Sequence, residues 1–383
     1  MPDLRIINGR VLLPDGGLQP VDLTLTGDRI ATIGSRPHPG GASLDATGLL
    51  VLPGIVDIHG DAFERQVQPR PGVEFPVDLA LRDTEQQLLA NGITTAFHGI
   101  TLSWEPGLRS HTTWTALLDA LDAGSWTCDM RVHLRWEAYN LDALDIALAD
   151  IAAGRVHLVA FNDHTPPILK KIKDPVAGAK YSDRAGMKLD DFRALADRIG
   201  ARANDVPAAL DRIGAAARAA GVSLASHDDD SLEIRNSFRA RGARICEFPM
   251  AEEVGQAARD AGDFVVMGSP NVVRGKSHLG WASAAVMAEA GICNVLSSDY
   301  FYPAMLRAAL ILADRGVLDL PRAWALISAN PAAAAGLDDR GRIEPGLRAD
   351  LVLVDPAVPR AVATIAQGRI AHLTAHAADR LSA

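Results

Sequence analysis

Histidines and acids recur in this chain where short apolar runs end. In Leu52-Pro53-Gly54-Ile55-Val56-Asp57-Ile58-His59-Gly60-Asp61, a β-branched run closes on a histidine and, two positions on, an aspartate. Residues i and i+2 of an extended strand share a face, so His59 and Asp61 can offer a nitrogen and an oxygen to one cation. Other runs end at His98, Glu137, Asp163-His164, His227-Asp228-Asp229, Glu247 and Asp299. Neutral imidazole and carboxylate are the groups that hold zinc-like ions, and a catalytic ion keeps a position open for water. Asp299, after Leu296-Ser297-Ser298, is placed to take a proton from such a water, although acids after strands also cap helices. His98 fits packing behind a site equally well. Glu137 and Asp163-His164 also fit outer ion pairs, and Asp228, Asp229 and Asp230 cannot all be ligands.

A second constellation, Gly268-Ser269-Pro270-Asn271-Val272-Val273-Arg274-Gly275-Lys276-Ser277-His278-Leu279-Gly280, gathers two cations, a histidine and small residues. As a loop it could cradle phosphate oxygens with Asn271, Arg274, Lys276 and His278 and with backbone amides. It lacks the Gly-x4-Gly-Lys-Ser/Thr spacing of a P-loop, and a basic surface loop is the plainer reading. Arg65 and Arg70, after the first run, could add charge from the opposite side or lie on the surface.

The elements that must position these groups follow a rhythm of apolar strand, polar loop and amphipathic helix. Candidate strands are Ile55–His59, Thr94–His98, Arg131–Trp136, Val156–Asn162, Val222–His227, Arg244–Glu247, Phe264–Met267 and Asn294–Ser298. Asp205-Val206-Pro207 reads as a helix start and Gly221 as its end. Eight such units fit an α/β fold of the (β/α)8 barrel type, whose functional groups sit at strand C-termini, better than an open doubly wound sheet. The connection from Asp163 to Gly221 is long and carries Lys170, Lys171, Lys173, Lys180 and Lys188, as an insertion or lid would. Period-two alternation near both ends, in a β-meander over the first residues and in Ala349-Asp350-Leu351-Val352-Leu353-Val354, predicts a split β-sandwich. The expected division is 1–53 with 335–383 for the sandwich and 54–334 for the barrel.

Composition narrows the function classes. A net charge of -9 does not suit a nucleic-acid surface, yet permits a local anion site. No apolar run approaches the ~20 residues that span a bilayer, and the first residues lack a signal-peptide pattern. Cys128, Cys246 and Cys293 make no disulfide framework or zinc-knuckle spacing, so a cytoplasmic protein is expected. Expected partners are a small phosphorylated substrate and, compatibly, further copies of the chain, with no nucleic acid and no membrane.

Taken together these residues resemble the amidohydrolase superfamily of metal-dependent barrel hydrolases with a split β-sandwich. Pro53-Gly54-Ile55-Val56-Asp57-Ile58-His59 and Gly346-Leu347-Arg348-Ala349-Asp350-Leu351-Val352 are similar to its framing motifs. Within it the chain looks most like the alpha-D-ribose 1-methylphosphonate 5-triphosphate diphosphatase family of the carbon–phosphorus lyase pathway. The resemblance is carried by His133-Leu134-Arg135, Asp163-His164-Thr165-Pro166, Ser226-His227-Asp228-Asp229, Glu247-Phe248-Pro249, Met267-Gly268-Ser269-Pro270-Asn271-Val272-Val273-Arg274-Gly275 and Leu296-Ser297-Ser298-Asp299-Tyr300.

That resemblance implies hydrolysis of a sugar triphosphate to the 5-phosphate and pyrophosphate. It implies one or two divalent ions, zinc first, with manganese or iron also compatible, held by His59, Asp61, Glu137, His164 and His227, with Asp299 as ligand or base. His227 and Asp299 would serve catalysis, with Arg274, Lys276, His278, Asn271, Arg65 and Arg70 on the substrate. The chain departs from the superfamily's His-x-His, has Gly60 where relatives tend to carry threonine, and has Pro167-Ile168-Leu169-Lys170 where they tend to carry Gly-Gln-Arg-Gln. Two rival readings are C–N bond hydrolysis on a cyclic amide or N-acyl compound, and a metal-free barrel serving in assembly.

Overall fold

The computed structural model describes residues 3–15, 17–34, 41–70, 72–275 and 283–382. Its centre is an eight-stranded parallel sheet whose strands lie side by side in chain order. They are Ile55–Gly60, Ile93–Leu102, Asp129–Glu137, Leu158–Asn162, Ser223–His227, Ile245–Glu247, Phe264–Gly268 and Val295–Ser297. The two edges meet. Gly60 forms a parallel bridge with Asp299. The Asp299 N–H donates to the His59 carbonyl at 3.0 Å, and the Asp61 N–H to the Asp299 carbonyl at 2.9 Å. The sheet is therefore a barrel and not an open doubly wound layer.

The first two strands are buried along their whole length, as expected where helices cover one face and the barrel core the other. Val56, Ile58, Phe97, Leu158, Ala160, Ala225, Ile245, Val266 and Val295 fill the interior, and Ala332 and Ala334 of the helix Ala329–Ala334 pack against them. The barrel is thus a packed core with chemistry confined to its mouth. Around it, helices such as Val77–Ala90 and Val206–Ala219 bury one stripe each. The second of these starts with proline in its first turn, and Gly221 follows it at φ 68°. A positive φ there is the usual way to end a helix.

Both chain ends contribute to two further sheets. One is ordered Leu381–Ser382, Ala42–Asp45, Leu4–Ile7, Leu23–Thr26, Arg29–Ile33; the other Arg369–Leu373, Arg360–Ala366, Leu351–Asp355, Leu50–Pro53, Arg10–Leu12, Leu18–Pro20. Leu4, Ile6, Leu23 and Leu25 share a core with Val11, Val51, Leu351 and Leu353, so the sheets form a sandwich. The expected N-terminal meander is corrected. Leu4–Ile7 and Arg10–Leu12 lie in different sheets, because the turn through Asn8 (φ 63°) sends the chain across the sandwich.

The long fourth connection is ordered structure. Before the barrel helix it carries Thr165–Lys171, Pro175–Arg184 and Leu189–Gly200. Ile168, Ile172, Ala185, Phe192, Ala196 and Ile199 form a small core with Trp104, whose indole N–H donates to Thr165 Oγ1 at 2.9 Å. Among the described residues no helix is long and apolar enough to cross a membrane.

Candidate metal centre and catalytic cavity

His59, His133, His227 and Glu247 converge from the first, third, fifth and sixth strands. The His59 Nδ1 lies 3.1 Å and the His133 Nε2 3.8 Å from Glu247 Oε2. The His59 ring stands 5.1 Å from that of His133 and 5.3 Å from that of His227. His59 Nδ1, His133 Nε2, His227 Nδ1 and both Glu247 oxygens are buried without a hydrogen-bond partner. Burial, reinforced by the Arg135 charge, holds the His59 imidazole well below its usual range, and burial takes His133 to about 3, so both are neutral. Buried neutral imidazoles and a carboxylate with unspent lone pairs suit a divalent ion. One atom each from His59, His227 and Glu247 lies within 4.8 Å of the others; the same holds for His164, His227 and Asp228. His227 belongs to both groups.

Other expected ligands are brought to the same mouth but engaged differently. The Asp61 carboxylate accepts from Arg135 Nη1 at 3.2 Å, and Arg135 Nη2 stands 3.5 Å from His227 Nε2. The first strand is not the regular one from which shared facing was inferred: its register against the second strand slips between Asp57 and Gly60. Such a bulge re-aims side chains. Asp61 belongs to neither three-residue group. Glu137 accepts from His164 Nδ1 at 2.6 Å, and His164 Nε2 lies 3.3 Å from Asp228 Oδ2. Burial opposes a charge on His164, yet Glu137 and Asp228 prevail and hold its pKa up at about 9. Burial likewise opposes ionisation of Asp228, but His227 and His164 keep its carboxyl well below the usual range.

Asp299 follows the eighth strand. Burial, then the neighbouring Asp61, pushes its carboxyl up to about 7. A side chain at Gly268 would place its Cβ 3.0 Å from Asp299 Oδ2, so the glycine keeps that oxygen accessible. Three residues just after barrel strands, Asp228 (φ 57°), Phe248 (φ 52°) and Asp299 (φ 55°), adopt the left-handed conformation. Their N–H groups still donate to Glu247, Val266 and His59 carbonyls, so strained backbone is held by the barrel itself.

The substrate-side expectations divide. Arg65 of the short helix Glu64–Val67 and Arg274 of the helix Ser269–Arg274 both reach Tyr300, Arg65 5.9 Å from the ring centroid and Arg274 Nη1 3.4 Å from the hydroxyl. Tyr300 follows Asp299 in the chain. The segment expected to cradle anions as a loop is instead helical over Ser269–Arg274, ending at Gly275 in the left-handed region. Asn271 Oδ1 accepts from the Ala284 N–H at 3.1 Å, a structural bond across the segment. Arg70 is exposed and forms a backbone bridge with Val73. Lys276 and His278 lie outside the described residues. His98 is also displaced from expectation: the second strand runs on to Leu102, leaving this histidine buried mid-strand, 5.3 Å from the Phe63 ring.

A cavity of about 490 Å³ opens beside His164, His227 and Asp228. It is lined by Glu105, Arg109, Arg135, Glu137, His164, Pro167, Ile168, Lys171, Tyr181, Arg184, His227 and Asp228. Of the site groups, His133, Arg135, Arg109, Lys171 and Arg184 went unassigned in the sequence, and Glu247 and Asp228 were recognised only as strand-end acids. A signal existed for two of them: in His133-Leu134-Arg135-Trp136-Glu137, polar groups alternate through an otherwise buried strand.

The profile of the Amidohydrolase family matches residues 50–378. The chain is 32% identical to alpha-D-ribose 1-methylphosphonate 5-triphosphate diphosphatase of Escherichia coli (strain K12) over 323 residues, 81% of this chain and 84% of that protein. It is 26% identical to an adenine deaminase of Methylobacterium nodulans, over 96% of this chain and 58% of the relative. In fold it is similar to an amidohydrolase from a Sargasso Sea environmental sample, with a TM-score of 0.67 at 18% identity over 97% of this chain and 93% of that one.

Proposed function

The chain belongs to the amidohydrolase family, and from that premise we propose that it is a metal-dependent hydrolase of a sugar triphosphate, releasing pyrophosphate and leaving the 5-phosphate. The observation that carries this reading is the cavity wall: Arg109, Arg135, Lys171 and Arg184 stand around the same space as His164, His227 and Asp228. To such a wall a neutral amide presents a single carbonyl oxygen, whereas a polyphosphate presents several anionic oxygens. The 32% identical diphosphatase supports the same substrate class.

In this reading His59, His227 and Glu247 hold one divalent ion, with His133 beside them, and His164, His227 and Asp228 form the second candidate group. When bound, such an ion polarises a phosphoryl oxygen and acidifies water. Zinc, manganese and iron all suit the mixed nitrogen and oxygen donors. The protein's own groups do the rest. Asp299, with its carboxyl near 7, accepts the proton of the attacking water at Oδ2. Arg135, tethered by Asp61, neutralises charge gathering on the phosphoryl oxygens. Arg65 and Arg274, converging on Tyr300, add positive charge on the Asp299 side. A cytoplasmic site of action belongs to the same reading.

A second reading, C–N bond hydrolysis, is favoured by the 26% identical adenine deaminase. One assay separates the two. Purified protein supplied with zinc, manganese or iron is offered sugar and nucleoside triphosphates, and phosphate and pyrophosphate are quantified beside ammonia from amides and aminopurines. Pyrophosphate release from the triphosphates is expected. Ammonia release without any pyrophosphate would replace the proposal with the second reading.

A further inference from the structure

We propose that the insertion after the fourth barrel strand carries a subsite for the distal end of a polyphosphate chain, with Lys171 and Arg184 as its cations. The substrate class rests on the phosphoanhydride reading above; the subsite itself rests on where these residues stand. Lys171 is the last residue of the helix Thr165–Lys171, and Arg184 the last of Pro175–Arg184. Neither helix belongs to the barrel repeat, yet both cations line the cavity that holds His164, His227 and Asp228. The helices are seated on a core of their own, with Ile168, Ile172 and Phe192 buried against Trp104. The wall is thus a packed surface.

Charge accounting singles out Lys171. Arg109 is spent on Glu64 at 3.3 Å, Arg135 on Asp61 at 3.2 Å, and Arg184 on Glu105. Among the described residues Lys171 alone of the four has no acidic partner, so its ammonium is the cation a ligand can neutralise without breaking an existing pair. Arg184 is oriented: its guanidinium lies 5.3 Å from the Tyr181 ring centroid as well as pairing with Glu105. It also lines a neighbouring cavity of about 610 Å³ between Gln68, Gly72 and Glu74 on one side and Asp183 and Met187 on the other. Arg184 therefore stands where the catalytic cavity meets an outer one; Glu74 and Asp183 make the outer one acidic, so a phosphate chain extending from the reacting centre ends at Arg184. One to two charge-assisted contacts distinguish a triphosphate from a monophosphate in such a site.

The test titrates tripolyphosphate and, separately, orthophosphate into the wild-type protein with its metal bound, and into Lys171→Met, Lys171→Arg and Arg184→Met, with metal content measured after each titration. Methionine keeps the apolar stem and removes the charge. Lys171→Met is expected to weaken tripolyphosphate roughly tenfold, with Lys171→Arg within about twofold of wild type. Orthophosphate, a single phosphate held at the reacting centre with no chain to extend along the cavity, is expected to bind all four proteins alike. Unchanged tripolyphosphate affinity in Lys171→Met, or equal loss of orthophosphate, overturns the subsite. A charge-dependent tripolyphosphate site in a protein that hydrolyses no triphosphate would keep the subsite and remove the phosphoanhydride reading. Triphosphate hydrolysis with a KM indifferent to Lys171→Met would do the reverse.

Discussion

Replacing Asp299 by asparagine separates catalysis from folding, because the structure predicts opposite signs for the two. The main-chain bonds that close the barrel here, Asp299 N–H to His59 and Asp61 N–H to Asp299, do not involve the side chain and survive in Asp299→Asn. The residue sits at φ 55°, a conformation that asparagine tolerates as readily as aspartate. The fold should therefore be kept. Moving a carboxyl from 3.8 to about 7 costs its ionised form roughly 4 kcal/mol relative to the unfolded chain. The sign follows from proton binding: the folded state holds the proton more tightly, so this cost is absent below pH 3.8, grows as pH rises, and is complete above about 7. In chelator-treated protein the variant should be more stable than wild type at pH 8, by up to that amount, with the two converging near pH 4. Urea midpoints at both pH values measure this. Turnover should fall by roughly 10²- to 10⁴-fold, the usual worth of a positioned base. Near-normal turnover would refute the role of Asp299. A variant less stable than wild type at pH 8 would refute the electrostatic argument and attribute any lost activity to damaged structure.

Removing the charge of Glu247 by Glu247→Gln takes an anionic donor from the His59–His227 group, and bound metal should fall by at least about tenfold in affinity, read by metal analysis after dialysis against a graded chelator. Gly60→Thr brings a Cβ within 2.7 Å of both Asp57 Oδ2 and Ser298 Oγ and 3.2 Å of Tyr302, and should cost about 1–3 kcal/mol, measured by denaturant unfolding; an unchanged midpoint would mean the crowding is relieved at no cost. Arg235 is fully buried, donating to Ser226 Oγ at 2.7 Å and Asp263 Oδ2 at 2.6 Å. Arg235→Met leaves the buried Asp263 with only the half-exposed cations Arg239 and Arg244 and should destabilise the protein by about 3–5 kcal/mol, seen as a lowered unfolding midpoint.

The barrel was legible because its signals are local. Most of the strands carry a short core of apolar residues bounded by turn residues, the signature of parallel strands covered on both faces. Strand ends were legible for the same reason, which placed His59, His227 and Asp299 at the mouth. What failed was pattern that depends on pairing. The second strand continues through Gly99-Ile100-Thr101-Leu102 because it pairs with the long third strand, and this took His98 out of the mouth. The N-terminal strands alternate as a meander would, yet adjacent ones join different sheets, since alternation reports a face and not a neighbour. Gly268–Gly275 carries glycine, serine and proline, the composition of a loop, but Pro270 also suits a helix's first turn, and burial of Val272 made it helical.

By itself the sequence determined the barrel's alternating strands and helices, their order and the chemical inventory at the strand ends, because propensity and periodicity act over a few residues. Only the tertiary structure decided who faces whom. Closing the barrel sets His59 against Glu247, puts the Arg135 guanidinium between Asp61 and His227, and couples His164 to Glu137. The same packing lays the insertion's cations along the catalytic cavity. These pairings join residues far apart in the chain, and no local pattern encodes them. They also set the charge states: burial and neighbours keep His59 neutral, hold His164 near 9 and lift Asp299 to about 7. A residue's identity says what it could donate or accept; its surroundings in the fold decide which proton it carries.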